Sequence, residues 1–289
     1  MSDQNDEKYF ETIVRKVYLK ILNRNVDEEG LNHWTSQLKN KNIDESELQR
    51  LLKNSLEFKE LQWPEGILPI SDESEKKIIN NVKLYSQTNS RSISALISSV
   101  KYIIKNNIPG DMIECGVWKG GSMMAVANTL INLKSERDLY LFDTFSGMTT
   151  PRDIDVQLDG NGNIVLDAKN EFEKLNFESV SLDEVKNNMY DTGYNKEKIF
   201  FIKGDVKYTL PKFSSNSISL LRLDTDFYES TRYELNYLFP KLVKGGVLII
   251  DDYDVFKGQR IAVDEYFKEN NVNMILHHTG GLPRFAIKS

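Results

Sequence analysis

A chain of 289 residues holds one or two domains. Its 37 basic and 43 acidic residues leave a net charge of −6, so no positive field draws nucleic acid or an anionic membrane. A single cysteine, Cys115, excludes an intrachain disulfide framework and a Cys-rich zinc site, and no apolar run is long enough for a membrane span. The polar, acidic start MSDQNDEKYF lacks an apolar signal region, and a cytoplasmic protein is expected.

The first third reads as helical. Ile13, Val17, Leu19, Ile21 and Leu22 recur mostly on one helical face, as do Leu48, Leu51, Leu52, Leu56 and Phe58. Between them Asp27 is placed to cap a helix carrying Leu31, Trp34 and Leu38. Two prolines and a glycine in Trp63-Pro64-Glu65-Gly66 and Leu68-Pro69 break any helix, which sets the expected boundary between a small all-α domain, 1–66, and a second domain, 67–289.

Beyond the break, helical periodicity over 92–107 ends at Pro109-Gly110. Five short apolar runs then appear at Met112–Glu114, Leu139–Phe142, Ile199–Lys203, Ser219–Asp224 and Val247–Asp251. Helical patterns at about 121–134, 180–191, 230–242 and 258–270 separate most of them. This alternation predicts an α/β domain built on a parallel sheet. Met274–His277 and Arg284–Ile287, with Thr279-Gly280-Gly281-Leu282-Pro283 between, read as a closing hairpin. The long polar stretch from Ser146 to Glu178 reads as a functional or disordered loop.

Nearly every expected strand ends on an acid: Glu114, Asp143, Asp205, Asp224 and the pair Asp251-Asp252. One such acid is readily a helix N-cap. Six at the sheet edge where open α/β folds bind ligands repel one another unless a cation or hydrogen-bond donors compensate them. The run ECGVWKGGS sets Gly116, Gly120 and Gly121 at a helix start, where glycine lets backbone approach a ligand. It lacks the G-x-G opening of a dinucleotide fingerprint, because Val117 and Trp118 follow Gly116. With Asp143 placed to accept from ribose hydroxyls, the pattern indicates a nucleoside-bearing cofactor. Asp224, Asp251 and Asp252 come within reach of one ion if the fourth and fifth strands are neighbours, about 5 Å apart. All-oxygen ligands suit Mg2+, Mn2+ or Ca2+. Consecutive acids on a strand face opposite ways, so Asp251 and Asp252 share an ion only if the chain turns there.

Residues 90–289 resemble the macrocin O-methyltransferase family, through IPGDMIECGVWKGGS, LYLFDTFSGM, FIKGDVKYTLP, LRLDTDFYEST and GGVLIIDDYDVFKGQRIAVDEYF. The resemblance implies a Rossmann-like class I methyltransferase sheet of seven strands, the last antiparallel, and transfer of a methyl group from S-adenosyl-L-methionine to a sugar, glycan or related hydroxyl. It assigns cofactor binding to Glu114, Gly116, Trp118, Gly120, Gly121 and Ser122, with Asp143 on the ribose and Asp205-Val206 beside the adenine. It makes Asp224, Asp251 and Asp252 ligands of Mg2+, Asp226 the general base, and the 146–178 region part of an acceptor lid. Tyr228, Glu229 and Ser230 match the motif too, Ser230 also as a helix cap. Partners would be a small-molecule or glycan acceptor; homo-oligomerisation is left open. The rival readings are an NAD-dependent Rossmann oxidoreductase, disfavoured by the missing G-x-G, and a methyltransferase-like scaffold, disfavoured by the intact aspartates.

Residues 9–62 resemble a small bacterial helical domain of unknown function, distantly like phycobilisome linker domains, through YLKILNRNVDEEGLNHWTSQL and LLKNSLEFKEL. Arg24, Asp27, Gly30 and Trp34 form its structural signature, and typical members of the methyltransferase family are expected to lack this extension.

Overall fold

Apolar runs bounded by turn residues become the strands of one sheet in the computed structural model of the protein, which describes residues 2–22, 25–53, 55, 73–159, 162–172, 179–278 and 283–289. The expected features at Arg24, Leu56, Phe58, residues 63–69 and the hairpin turn at 279–282 lie outside the described residues. Internal contacts divide the chain into two compact units, Met1–Ile67 and Leu68–Ser289. Among the described residues no helix is long and apolar enough to cross a membrane.

Among the described residues of the first unit, three helices, α1 (Ser2–Leu22), α2 (Glu28–Lys39) and α3 (Glu45–Lys53), enclose a core of Val14, Val17, Tyr18, Leu22, Leu31, Leu38, Leu48 and Leu52. Asp27 caps α2 by accepting from the Gly30 amide at 2.7 Å. Trp34 Nε1 donates to the Tyr18 hydroxyl at 2.9 Å, so the tryptophan ties α2 to α1. Leu19 departs from the expected face and is 54% exposed. Val14, Val17, Tyr18, Ile21 and Leu22 follow the 3.6-residue period, and Leu19 falls off it.

The second unit begins with α4 (Glu73–Val82) and α5 (Ser90–Lys105), the latter capped by Asn89. Then come β1 (Asp111–Cys115), α6 (Gly121–Asn132), β2 (Leu139–Asp143), β3 (Val156–Leu158), β4 (Ile164–Asp167) and α7 (Leu182–Asp191). They are followed by β5 (Ile199–Lys203), a short α8 (Val206–Thr209), β6 (Ile218–Leu223), α9 (Tyr228–Leu238), β7 (Leu242–Ile250), α10 (Lys257–Glu269), β8 (His277–His278) and β9 (Arg284–Ile287). The main sheet has seven strands in the order β5-β2-β1-β6-β7-β9-β8; β9 runs antiparallel to β7. This is the expected α/β architecture. The chain leaves β1 toward β2 and β5 on one side and returns through β6 and β7 on the other. The crevice between β1 and β6 is therefore the topological switch point, where open α/β sheets bind ligands.

Three local differences bear on the site. Asp224 lies one residue past the end of β6, in a loop. β7 starts at Leu242, well before the expected Val247, because the Ile218–Leu220 register shift accommodates Gly245-Gly246. The polar 146–178 segment contains a two-stranded β3–β4 hairpin, stitched to the loop between β7 and α10 by an isolated bridge between Gln157 and Phe256.

Candidate active site

Strand ends at the switch point converge on a cavity of about 390 Å³. Its walls include Glu114, Gly116–Trp118, Gly121-Ser122 and Asp143 on one side, and Asp224, Asp226, Asp251 and Asp252 on the other. A smaller cavity of about 50 Å³ shares Gly116, Asp143 and Asp224 and adds Asp205 and Val206. The expected site residues thus lie around two adjoining hollows, apart from Gly120.

The centre of the site is an arginine that the sequence reading passed over. Arg222 is 3% exposed, and both of its terminal nitrogens are engaged. Nη1 donates to the Glu114 carboxylate and, at 2.5 Å, to Asp224 Oδ2; Nη2 donates to Asp251 Oδ1 at 2.5 Å and to the Thr88 hydroxyl at 2.8 Å. Its planar fork of donors suits this four-way role. Glu114 stands almost fully buried beside it; burial pushes its carboxyl up to about 7, against the pull of Arg222. Glu114 Oε2 is buried with no hydrogen-bond partner among the described residues, an acceptor still in need of a donor.

Asp251 and Asp252 diverge because the strand ends at Ile250 and the chain turns at once, with the Val255 and Phe256 amides donating to the Asp252 carbonyl at 2.9 Å. Asp251 turns to Arg222, whereas Asp252 turns to Asp224 and Asp226, and one oxygen from each of these three lies within 4.8 Å of the others. Asp226, 6% exposed, holds a left-handed φ of +65°, a conformation uncommon for a residue with a Cβ and one that collects at functional sites. Burial pushes the Asp224, Asp226 and Asp252 carboxyls well above the usual carboxylate range. Neighbouring acids add to the shift, and Arg222 opposes it at Asp224 and Asp226. One oxygen each of Asp224, Asp226 and Asp252 gathers in the structure, while Asp251, expected from the sequence to join Asp224 and Asp252, gives one of its oxygens to Arg222.

The glycines serve the chain itself. A Cβ on Gly116 would lie 2.0 Å from the Asp224 carbonyl oxygen, and one on Gly121 would lie 2.4 Å from that of Tyr85. They let β1 approach the Asp224 loop, and α6 approach the turn before α5, and both also line the larger cavity. Gly120 caps α6 with φ +89°. Trp118 also has positive φ, and Ser122 is buried in the first turn of α6. Asp143 Oδ2 accepts from the Val117 and Trp118 amides at 2.8 and 3.2 Å, and Oδ1 accepts from the Phe145 amide at 2.8 Å. Its carboxylate therefore fixes the loop after β1 while facing both cavities. Asp205 caps α8 by accepting from the Lys207 amide at 2.8 Å. Tyr228 donates to Glu265, Glu229 pairs with Arg152, and Ser230 donates to the Phe227 carbonyl, so these three motif residues tie down the start of α9.

Two further buried groups hold the acid loops. Gln259 Oε1 accepts from the Asp252 amide at 2.8 Å, and Glu234 Oε1 accepts from the Thr225 hydroxyl at 2.8 Å. Burial pushes the Glu234 carboxyl from 4.5 up to about 8, with the Thr225 hydrogen bond opposing. The folded state keeps a proton that the unfolded chain releases, so this group's contribution is complete below about 4.5 and is lost as pH rises through about 8. Glu234→Gln is expected to shrink the fall in stability across that window by about 3–5 kcal/mol, at about 1.4 kcal/mol per unit. Urea unfolding of both proteins at the two ends of the window measures it, and an equal fall in both would place the titration elsewhere.

The profile of the macrocin-O-methyltransferase family matches residues 15–282. The chain belongs to that family. The match starts inside the first unit and so takes in more than the resemblance over 90–289, including most of the extension expected to be foreign to typical members. Demethyldecarbamoylnovobiocin O-methyltransferase of Streptomyces niveus is 36% identical over 169 residues, 58% of this chain and 62% of that one. The 8-demethyl-8-(2,3-dimethoxy-alpha-L-rhamnosyl)-tetracenomycin-C 4'-O-methyltransferase of Streptomyces olivaceus is 32% identical over 168 residues, 58% of this chain and 61% of that one. The chain thus spans about three fifths of the length of these two curated relatives. The solved O-methyltransferase NovP superposes with a TM-score of 0.63 at 27% identity, covering 74% of this chain and 88% of NovP. Family membership and the superposition agree with the seven-stranded class I methyltransferase sheet described above.

Proposed function

We propose that this family member transfers the methyl group of S-adenosylmethionine to a hydroxyl of a glycosylated small molecule, assisted by a divalent cation, Mg2+, at the aspartate loops. The observation that carries the reading is the convergence of Asp224, Asp226 and Asp252 beside the same cavity as Glu114. Both groups fit the residues present. Three carboxylates, Asp226 buried and Asp224 and Asp252 partly so, have oxygens within 4.8 Å of one another and gather negative charge that a small divalent ion beside them neutralises. The unpartnered Glu114 Oε2 is a buried acceptor suited to a cationic donor such as the cofactor's ammonium.

When bound, the cofactor supplies an electrophilic methyl group and the cation supplies positive charge beside the acceptor hydroxyl. The chain's residues do the rest. Asp224 and Asp252 hold the ion, and Asp251 completes the set, since its bond to Arg222 uses one carboxylate oxygen. Asp226 takes the acceptor proton. Asp143, with Asp205 and Val206 in the adjoining hollow, holds the nucleoside end, and the walls orient the hydroxyl and exclude water. The name of the Streptomyces olivaceus relative states a rhamnosyl-bearing acceptor, which supports an acceptor of that class.

A labelled methyl donor offered with a panel of glycosylated acceptors, with and without chelator, tests the reading; S-adenosylmethionine and NAD compared by calorimetry separate it from the oxidoreductase. Asp143→Ala is expected to weaken S-adenosylmethionine binding by at least about 1.5–3 kcal/mol, the range for hydrogen bonds to a charged group. The loss has two sources, the ribose contact and the three amides that Asp143 holds. Unchanged affinity in a folded variant removes Asp143 from the cofactor site.

A further inference from the structure

The hairpin that forms part of the cavity wall is fastened at one buried carboxylate. Asp155, just before β3, is 1% exposed, and both of its oxygens are used. Oδ2 accepts from the Arg152 amide at 2.7 Å, and Oδ1 accepts from the Tyr228 amide, 73 positions away, also at 2.7 Å. Tyr228 opens α9, whose own N-cap residue, Phe227, supplies no side-chain bond. Asp155 therefore caps from another segment the helix that starts directly after the Asp224–Asp226 loop, and its charge suits that helix end. The first turn of α10 makes room for it: a Cβ on Gly258 would lie 1.8 Å from Asp155 Oδ1. Around this point Arg152 reaches Glu229 at 2.5 Å, the Leu158 amide donates to the Val255 carbonyl at 2.8 Å, and Phe227, Phe256, Ala168, Met148 and Leu166 form a small apolar cluster. Gln157 and Leu166 of the hairpin line the cavity together with Asp226 and Asp252.

We infer that Asp155 is a positioning residue that latches the β3–β4 hairpin to the first turn of α9, so that this part of the cavity wall and the loop bearing Asp224 and Asp226 are set as one piece. The latch is a property of the fold; its consequence for the acid loop rests on the cation reading above. Asp155→Ala removes both acceptors. Asp155→Asn keeps an oxygen for the Tyr228 amide but turns its NH2 toward the Arg152 amide, so it restores part of the latch.

The test is amide hydrogen exchange together with Mn2+ binding followed by electron paramagnetic resonance, on the full chain under conditions where every variant is folded. Exchange at 152–158 and 164–168 is expected to quicken by about tenfold or more in Asp155→Ala and by less in Asp155→Asn, while amides of β1 and β6 keep their protection. Mn2+ affinity is expected to fall by about tenfold in Asp155→Ala, as for other groups that support metal ligands, and to recover partly in Asp155→Asn. Unchanged hairpin exchange, or hairpin and sheet amides quickening together, overturns the latch. A loosened hairpin with unaltered Mn2+ affinity overturns its link to the acid loop. A wild-type protein that binds no Mn2+ counts against the cation reading, and the exchange result still decides the latch.

Discussion

Arg222→Met is expected to lower folding stability by about 3–5 kcal/mol at neutral pH, the usual consequence of removing one partner from a buried ionic group. Arg222 sits in β6, a strand buried along its whole length, and is the cation shared by Glu114, Asp224 and Asp251. Methionine fills similar space but leaves three carboxylates facing one another around an apolar side chain. They respond by holding protons more tightly, and the deficit therefore shrinks as pH falls toward the acid range. Arg222→Lys returns the charge without the second arm of the fork and should recover only part of the loss. Urea unfolding at neutral pH and near pH 5 measures both effects. A loss below about 1 kcal/mol, the scale of an exposed pair, would mean that the cluster is far better hydrated than its burial implies.

Asp226→Asn is expected to reduce methyl transfer by about 10²–10⁴-fold, the usual worth of a general base, while S-adenosylmethionine binding stays near normal. The substitution keeps the shape of the loop but removes the proton acceptor. Asp224→Asn and Asp252→Asn are expected instead to weaken Mg2+ binding, so that excess Mg2+ partly restores their activity. Asp251→Asn should behave as a milder member of that class, because its carboxylate is already shared with Arg222. The closeness of Asp226 to Asp224 and Asp252 makes this comparison decisive. If excess Mg2+ rescues Asp226→Asn and fails for Asp252→Asn, the roles of base and ligand are reversed.

The strand ends were legible because an acid closing an apolar run is a strong local contrast, as at Glu114, Asp224 and Asp251-Asp252. Arg222 offered a similar signal, a charge between Leu221 and Leu223 inside a buried strand, and it marks the floor of the site. The supporting residues were not legible. Asp155 acts on Tyr228 across 73 positions and Thr88 on Arg222 across 134, and no periodicity encodes such pairs. The turn from Tyr85 to Thr88 enters the cavity wall where Gly121 packs against the Tyr85 carbonyl. The glycines mark a loop that lines the cavity, and Gly116 and Gly121 also admit neighbouring backbone, a need that the sequence does not display. The β3–β4 hairpin escaped notice because its outward residues, Ile164 and Val165, are exposed and the segment around them is polar.

The central claim, a divalent cation held by the aspartate loops beside the cofactor, is tested most directly by titrating Mg2+ calorimetrically into protein saturated with S-adenosylhomocysteine. The account predicts one saturable site per chain in the wild type and in Asp226→Asn, and its loss in Asp224→Asn and Asp252→Asn. A wild-type protein that takes up no Mg2+, or four proteins that bind it alike, would contradict it.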